Sequence, residues 1–188
     1  MGIFGRPFLG EARSGDHGGF RRRDDTLALA VCDGLGHGVL AREAAVAAID
    51  VFGHATSLLP KDILEACNAA LTGTRGAVMA AAIVGETDGT FELASMGDVS
   101  VEAVAPRARR RFGGVSFVLG SLQAAGRARA ERVPIDGEAI LMFTDGITSS
   151  MTIENDLALL REHPIIVAHQ VVTRFGRDND DVLVLMAR

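Results

Sequence analysis

The chain has 188 residues, 48% of them apolar and 23% charged, with 24 Asp plus Glu against 19 Lys plus Arg and a net charge of −5. That length fits one domain spanning residues 1–188, and that apolar share supplies a packed core, which excludes a disordered chain. The acidic balance argues against a nucleic-acid binder, and no apolar run approaches the ~20 residues of a membrane-spanning helix.

Arg21-Arg22-Arg23-Asp24-Asp25 is polar between two extended segments and reads as the tip of a hairpin. The unbroken apolar run Thr26–Cys32 then predicts a buried strand, ended by a Gly-rich break. Residues 39–54 are Ala-rich and apolar nearly all round, which predicts a mostly buried helix. Pro60 opens a second helix at its first turn, with Ile63, Leu64, Cys67 and Leu71 on one face, and Gly73–Gly76 ends it. Strands are expected over 77–84, 90–95 and 99–104, with Asp88-Gly89 and Gly97-Asp98 as turns. Arg107–Arg111 reads as a solvated basic loop that can also dock an anionic partner. A buried strand follows at 139–144, then helices over 155–163 and 164–175, then a last strand at 182–187. Runs of strands alternating with pairs of helices predict an α+β fold with antiparallel sheets.

Three acids share one context, the end of an apolar strand. Asp33 follows the strand ending at Cys32, Asp145 follows the one ending at Thr144, and Asp180-Asp181 precedes the last strand. Asp16 stands near the start of the early hairpin, in Ser14-Gly15-Asp16. If the strand ends converge, these carboxylates repel one another, and a hard divalent cation compensates them through oxygen ligands. Asp-Gly is also a common turn pair, so on pattern alone a metal site and a set of ordinary turns stand level.

The segment Asp33-Gly34-Leu35-Gly36-His37-Gly38 joins a buried strand to a buried helix. It is a poor dinucleotide-binding turn, because Val39 takes the third Gly position and the region about 20 residues on is the Pro60 helix. There is no Gly-Lys-Ser/Thr for a P-loop, and the only Lys, Lys61, sits badly for a receiver domain. His37 has no second His at a ligand spacing and is not read as a metal ligand. Cys32 and Cys67 lie singly in apolar stretches and read as core residues in a reducing cytoplasm. With no Trp and no Tyr, the usual stacking platforms for single strands or sugars are missing.

Taken together, Ser14-Gly15-Asp16, Asp33-Gly34-Leu35-Gly36-His37-Gly38, Thr144-Asp145-Gly146-Ile147 and Asp180-Asp181 resemble the PP2C-type metal-dependent protein phosphatases, in their SpoIIE-like branch. Ala66-Cys67-Asn68, Thr74-Arg75-Gly76-Ala77 and Ala94-Ser95-Met96-Gly97 look like the small stressosome feedback phosphatases of RsbX type. The resemblance implies a four-layer α-β-β-α sandwich of two antiparallel sheets. It implies two Mn²⁺ or Mg²⁺ ions, with Asp33 bridging both and Gly34 offering its carbonyl. Asp145 and Asp180 would hold one ion, and Asp16 the other, partly through water. Asp180 is chosen over Asp181 as the first of the pair. The implied substrate is a phosphoserine or phosphothreonine on a bacterial regulatory protein, of stressosome or anti-anti-sigma STAS type. The alternative is a non-catalytic relative that binds a regulator; a nicotinamide oxidoreductase comes a distant third. Leu183 stands where the family usually has Thr. Met96-Gly97-Asp98 resembles a motif that bears a third-metal acid in some relatives, beside its plain reading as a turn. The phosphate-binding Arg of eukaryotic relatives has no clear match; Arg6, Arg13 and Arg21 are candidates.

Overall fold

The computed structural model describes residues 1–87 and 89–188, so Asp88 of the expected Asp88-Gly89 turn lies outside the described residues. Among the described residues, ten strands form two five-stranded antiparallel sheets. One has the order β1(Gly2–Arg6), β10(Val182–Ala187), β9(Ala139–Phe143), β6(Ser100–Ala105), β7(Ala108–Phe112). The other has the order β2(Asp16–Arg23), β3(Thr26–Gly34), β4(Ala77–Gly85), β5(Thr90–Met96), β8(Ala130–Pro134). Helices α1(Val39–His54) and α2(Pro60–Ala70) cover the second sheet, and α3(Pro164–Phe175) covers the first.

Side-chain alternation sorts the strands into three cores between four layers. On β3, Leu27, Leu29 and Val31 point between the sheets, whereas Ala28, Ala30 and Cys32 point at the helices. Their small size lets α1 press Ala44, Ala45 and Ala48 onto the sheet. On β10, Leu183 and Leu185 enter the inter-sheet core, and Val182, Val184 and Met186 meet α3. A strand buried on both faces reads as a continuous apolar run, which is why β3, β4, β9 and β10 stand out in the sequence.

Four expectations change. Residues 107–111 are not a loop: Arg107 turns with φ 62°, and Ala108–Phe112 pair with β6 as an edge strand. Its Arg side chains meet the chain's own acids, Arg109 and Arg111 at Glu102 and Arg110 at Glu138. Residues 155–163 are not a helix; the region makes 3₁₀ turns at Ile153–Asn155 and Leu159–Arg161 before Pro164 starts α3 at its first turn. The tip of the early hairpin is shorter than expected, since Arg21–Arg23 belong to β2. Helix α1 buries one face only, and Val39 and Leu40 in its first turn are exposed.

Candidate active site

The acids that end the apolar strands meet at one edge of the sandwich. Asp16 opens β2 and pairs in register with Asp33 near the end of β3. Asp145 follows β9, and Asp180 precedes β10, the neighbouring strand. A hydrogen bond then ties the two sheets: Thr144 Oγ1 donates to Asp16 Oδ2 at 2.7 Å, deep in the interior. The same hydroxyl oxygen accepts from the Leu183 amide at 2.9 Å.

Glycines let the backbones come this close. A Cβ on Gly34 would lie 2.0 Å from the Ala41 carbonyl oxygen of α1. One on Gly146 would lie 2.0 Å from the Asp181 carbonyl oxygen. Each Asp-Gly pair therefore serves packing as well as turning.

Asp33, Asp145, Asp180 and Asp98 line an open cavity of about 830 Å³. Asp16 lies behind it, buried, across from its register partner Asp33. Burial, then the neighbouring carboxylates, push Asp16 up to about 7 and Asp33 up to about 9. Asp145 is raised as well, first by loss of solvent and then by Asp180 and Asp98, with Arg177 opposing. No three His, Cys, Asp or Glu side chains among the described residues already close around one point as a metal cage. The donor set is all oxygen and acidic, the chemistry a hard divalent cation selects.

Asp180 and Asp181, adjacent in sequence, do different things. Asp180 faces the cavity. Asp181 is buried, and its two oxygens accept from the backbone amides of Phe8 at 2.8 Å and Gly15 at 2.9 Å. It fastens both ends of the 8–15 segment to the site, a role that sequence reasoning missed because its partners lie more than 160 residues away. That segment carries Phe8, stacked on His37 with ring centroids 5.1 Å apart, and Glu11, whose Oε1 lies 2.8 Å from His37 Nδ1. His37 is exposed on the cavity wall.

The Arg candidates separate. Arg21 stacks on Phe52 and donates to the Gly53 and Ser57 carbonyls at the end of α1, away from the acids. Arg6 is held by the Arg177 carbonyl and Asp178. Arg13 lies exposed on the 8–15 segment. Asp98 is exposed at the cavity, following Gly97 with φ 90°, so it is both a turn residue and a wall acid. Both cysteines are buried; burial pushes Cys67 up to about 12 and Cys32 upward as well, so neither offers a thiolate.

Two stacked antiparallel sheets, helices on both outer faces and an acidic cluster at the strand ends define a PP2C-type serine/threonine phosphatase fold. Residues 23–188 match the family model described as stage II sporulation protein E (SpoIIE), and the chain belongs to that family. A structure from work on the bacterial stressosome, "a modular system that has been adapted to control secondary messenger signaling", shares 30% identity over 100% of this chain and 97% of that one, with a TM-score of 0.87. RsbX in complex with magnesium shares 22% identity over 98% of this chain and 92% of that one, with a TM-score of 0.81. The SiaA-PP2C domain of Pseudomonas aeruginosa shares 20% identity over 99% of this chain and 84% of that one, with a TM-score of 0.72. A comparison with curated proteins finds no match. Among the described residues, no helix is long and apolar enough to cross a membrane.

Proposed function

We propose that residues 1–188 form one phosphatase domain that hydrolyses phosphoserine or phosphothreonine on a regulatory protein, using two Mn²⁺ or Mg²⁺ ions. The observation that carries this reading is the acidic cluster itself. Carboxylates from both sheets face one cavity, and burial with mutual repulsion raises Asp33 and Asp145 there and Asp16 behind it, with Arg177 opposing at Asp145. Asp33 would be shared by both ions, Gly34 would add its carbonyl, Asp145 and Asp180 would hold one ion, and Asp16 the other. When bound, such a pair of ions supplies a water of lowered pKa and neutralises phosphate oxygens.

The chain's own groups hold and orient. The Thr144 hydroxyl fixes one Asp16 oxygen. Asp181 fixes the 8–15 wall of the cavity. With both thiols buried, neither cysteine is free to attack, and a bound water would be the nucleophile. The stressosome relative at 30% identity supports a phosphorylated stress-regulatory protein, of stressosome or STAS type, as substrate. Cytoplasmic action, without nucleic acid or membrane, belongs to the same proposal.

The test is hydrolysis of p-nitrophenyl phosphate with Mn²⁺, with Mg²⁺, and with chelator. Turnover that needs the ion and disappears in Asp33→Asn is the expected result. Metal-independent turnover, or none on either p-nitrophenyl phosphate or phosphoserine peptides, overturns the reading.

A further inference from the structure

Ala66-Cys67-Asn68, Thr74-Arg75-Gly76-Ala77 and Ala94-Ser95-Met96-Gly97 supply no acid to the cavity, yet all three stretches bond to one segment. That segment, 113–129, joins β7 to β8. Its residues Ser116, Phe117, Val118, Ser121 and Gln123 line the same cavity as Asp33, Asp145 and Asp180. Apart from a 3₁₀ turn at Leu122–Ala124 and single bridges to Ala77 and Met96, its course is set by bonds to other elements.

Those bonds are of two kinds. The sheet holds the segment through its backbone. The Val115 amide donates to the Ser95 carbonyl at 3.0 Å, and the Gly97 amide to the Val115 carbonyl at 2.8 Å. Ala77 and Leu119 exchange amide-to-carbonyl bonds of 3.3 and 2.8 Å. Helix α2 holds it through side chains. Buried Asn68 accepts from the Gly120 amide on Oδ1 at 2.8 Å. Glu65 accepts from the Gly126 amide on Oε2 at 3.0 Å and from the Ala128 amide on Oε1 at 3.1 Å. Three residues apart, Glu65 and Asn68 are neighbours on one side of α2. Backbone bonds form whatever the side chains are; the α2 bonds need these two residues.

We propose that Asn68 and Glu65 are positioning residues for the substrate: from α2 they fix the wall against which the phosphorylated segment binds. The inference rests on the phosphatase reading and adds to it two residues that touch neither metal nor phosphate. A wall ordered in advance spares the substrate the cost of ordering it, so its loss weakens binding before it slows chemistry. Removing either acceptor also leaves a backbone amide without its partner, which favours movement of the wall away from its place opposite the acids.

Three variants test it. Asn68→Leu removes the acceptor at similar volume, Asn68→Asp keeps it, and Glu65→Gln keeps one acceptor oxygen of the two. With a phosphoserine decapeptide, Asn68→Leu should raise KM by about tenfold and leave kcat within about twofold. Asn68→Asp should return KM to within about twofold of wild type, and Glu65→Gln should fall between the two. The Gly120 amide and its neighbours should exchange hydrogen faster in Asn68→Leu and recover in Asn68→Asp. Lys61→Ala, exposed on the same helix, should change neither reading. A purely structural part would lower the folded fraction, cutting kcat alike for the peptide and for p-nitrophenyl phosphate at unchanged KM; that result overturns the proposal. So does a KM that rises as much in Asn68→Asp as in Asn68→Leu, or amide exchange near Gly120 that ignores both changes. Failure of the wild type on p-nitrophenyl phosphate as well as the peptide is the separate result that overturns the phosphatase reading, and the wall's part in it.

Discussion

Two regions of this molecule bury carboxyl groups, and they balance them in opposite ways. On the first sheet Glu102 is fully buried, with Arg111 Nε at 2.8 Å and Arg109 Nε at 3.6 Å. Glu154 adds a second acid 3.9 Å from Arg109. Charge there is settled inside the chain. At the strand ends, Asp16 and Asp33 pair in register near the further acids Asp145, Asp180 and Asp98, and burial with mutual repulsion pushes Asp16 up to about 7, Asp33 up to about 9 and Asp145 upward. The first arrangement carries its own cations. The second gathers acids without a matching set of cations, the pattern of a binding site rather than of a structural ion cluster.

Asp33→Asn should sharpen this contrast most. Turnover should fall by on the order of 10²–10³-fold or more. Melting of the metal-free chain at neutral pH should hardly move, because Asn mimics the protonated acid that Asp33 already is there. Retained turnover, or a large loss of metal-free stability, would put Asp33 with Glu102 instead. Thr144→Val removes the bond that positions Asp16, and it should weaken Mn²⁺ binding by about 10–100-fold, read by calorimetry. Glu102→Gln should do the reverse: a loss of about 1–3 kcal/mol in urea unfolding, reduced by the partial exposure of its Arg partners, with turnover per folded molecule unchanged.

A further effect is a pH dependence. Asp16 and Asp33 ionise near 3.8 in the unfolded chain and near about 7 and about 9 in the folded, metal-free chain. Between those values the folded state holds the extra protons, so metal-free stability is fullest below about 4 and falls as pH rises toward 9. Bound cations favour the ionised carboxyls. The gap in melting temperature between Mn²⁺-loaded and chelator-treated protein should therefore widen over the same range. A gap independent of pH would count against the carboxyls as ligands.

Much of this was legible because the site hangs on strands buried on both faces. β3, β9 and β10 are unbroken apolar runs, so Asp33, Asp145 and Asp180 stood out where the runs stop. The division of labour between Asp180 and Asp181 was not legible, since it is set by the amides of Phe8 and Gly15, brought there only by tertiary folding. β7 was hidden because an edge strand whose Arg residues reach solvent and distant acids shows no apolar alternation, only Phe112 being buried. The expected helix at 155–163 failed because the segment closes only short 3₁₀ turns before Pro164. The wall at 116–123, with its exposed Leu122, carries no period at all.

The Thr144–Asp16 bond has a mechanical consequence. Asp16 and Asp33 ride on one sheet, Asp145 and Asp180 on the other, and the layer between them is filled by Leu29, Val31, Ile140 and Leu185. Spacing between the two halves of the acidic cluster is therefore a measure of how far one sheet has slid over the other. The cluster works as a strain gauge for the sandwich. Leu185→Ala, remote in kind from any ligand, should loosen that layer at a cost of about 2–5 kcal/mol and weaken Mn²⁺ binding with it. Metal affinity, followed across such core variants, reads the alignment of the two sheets.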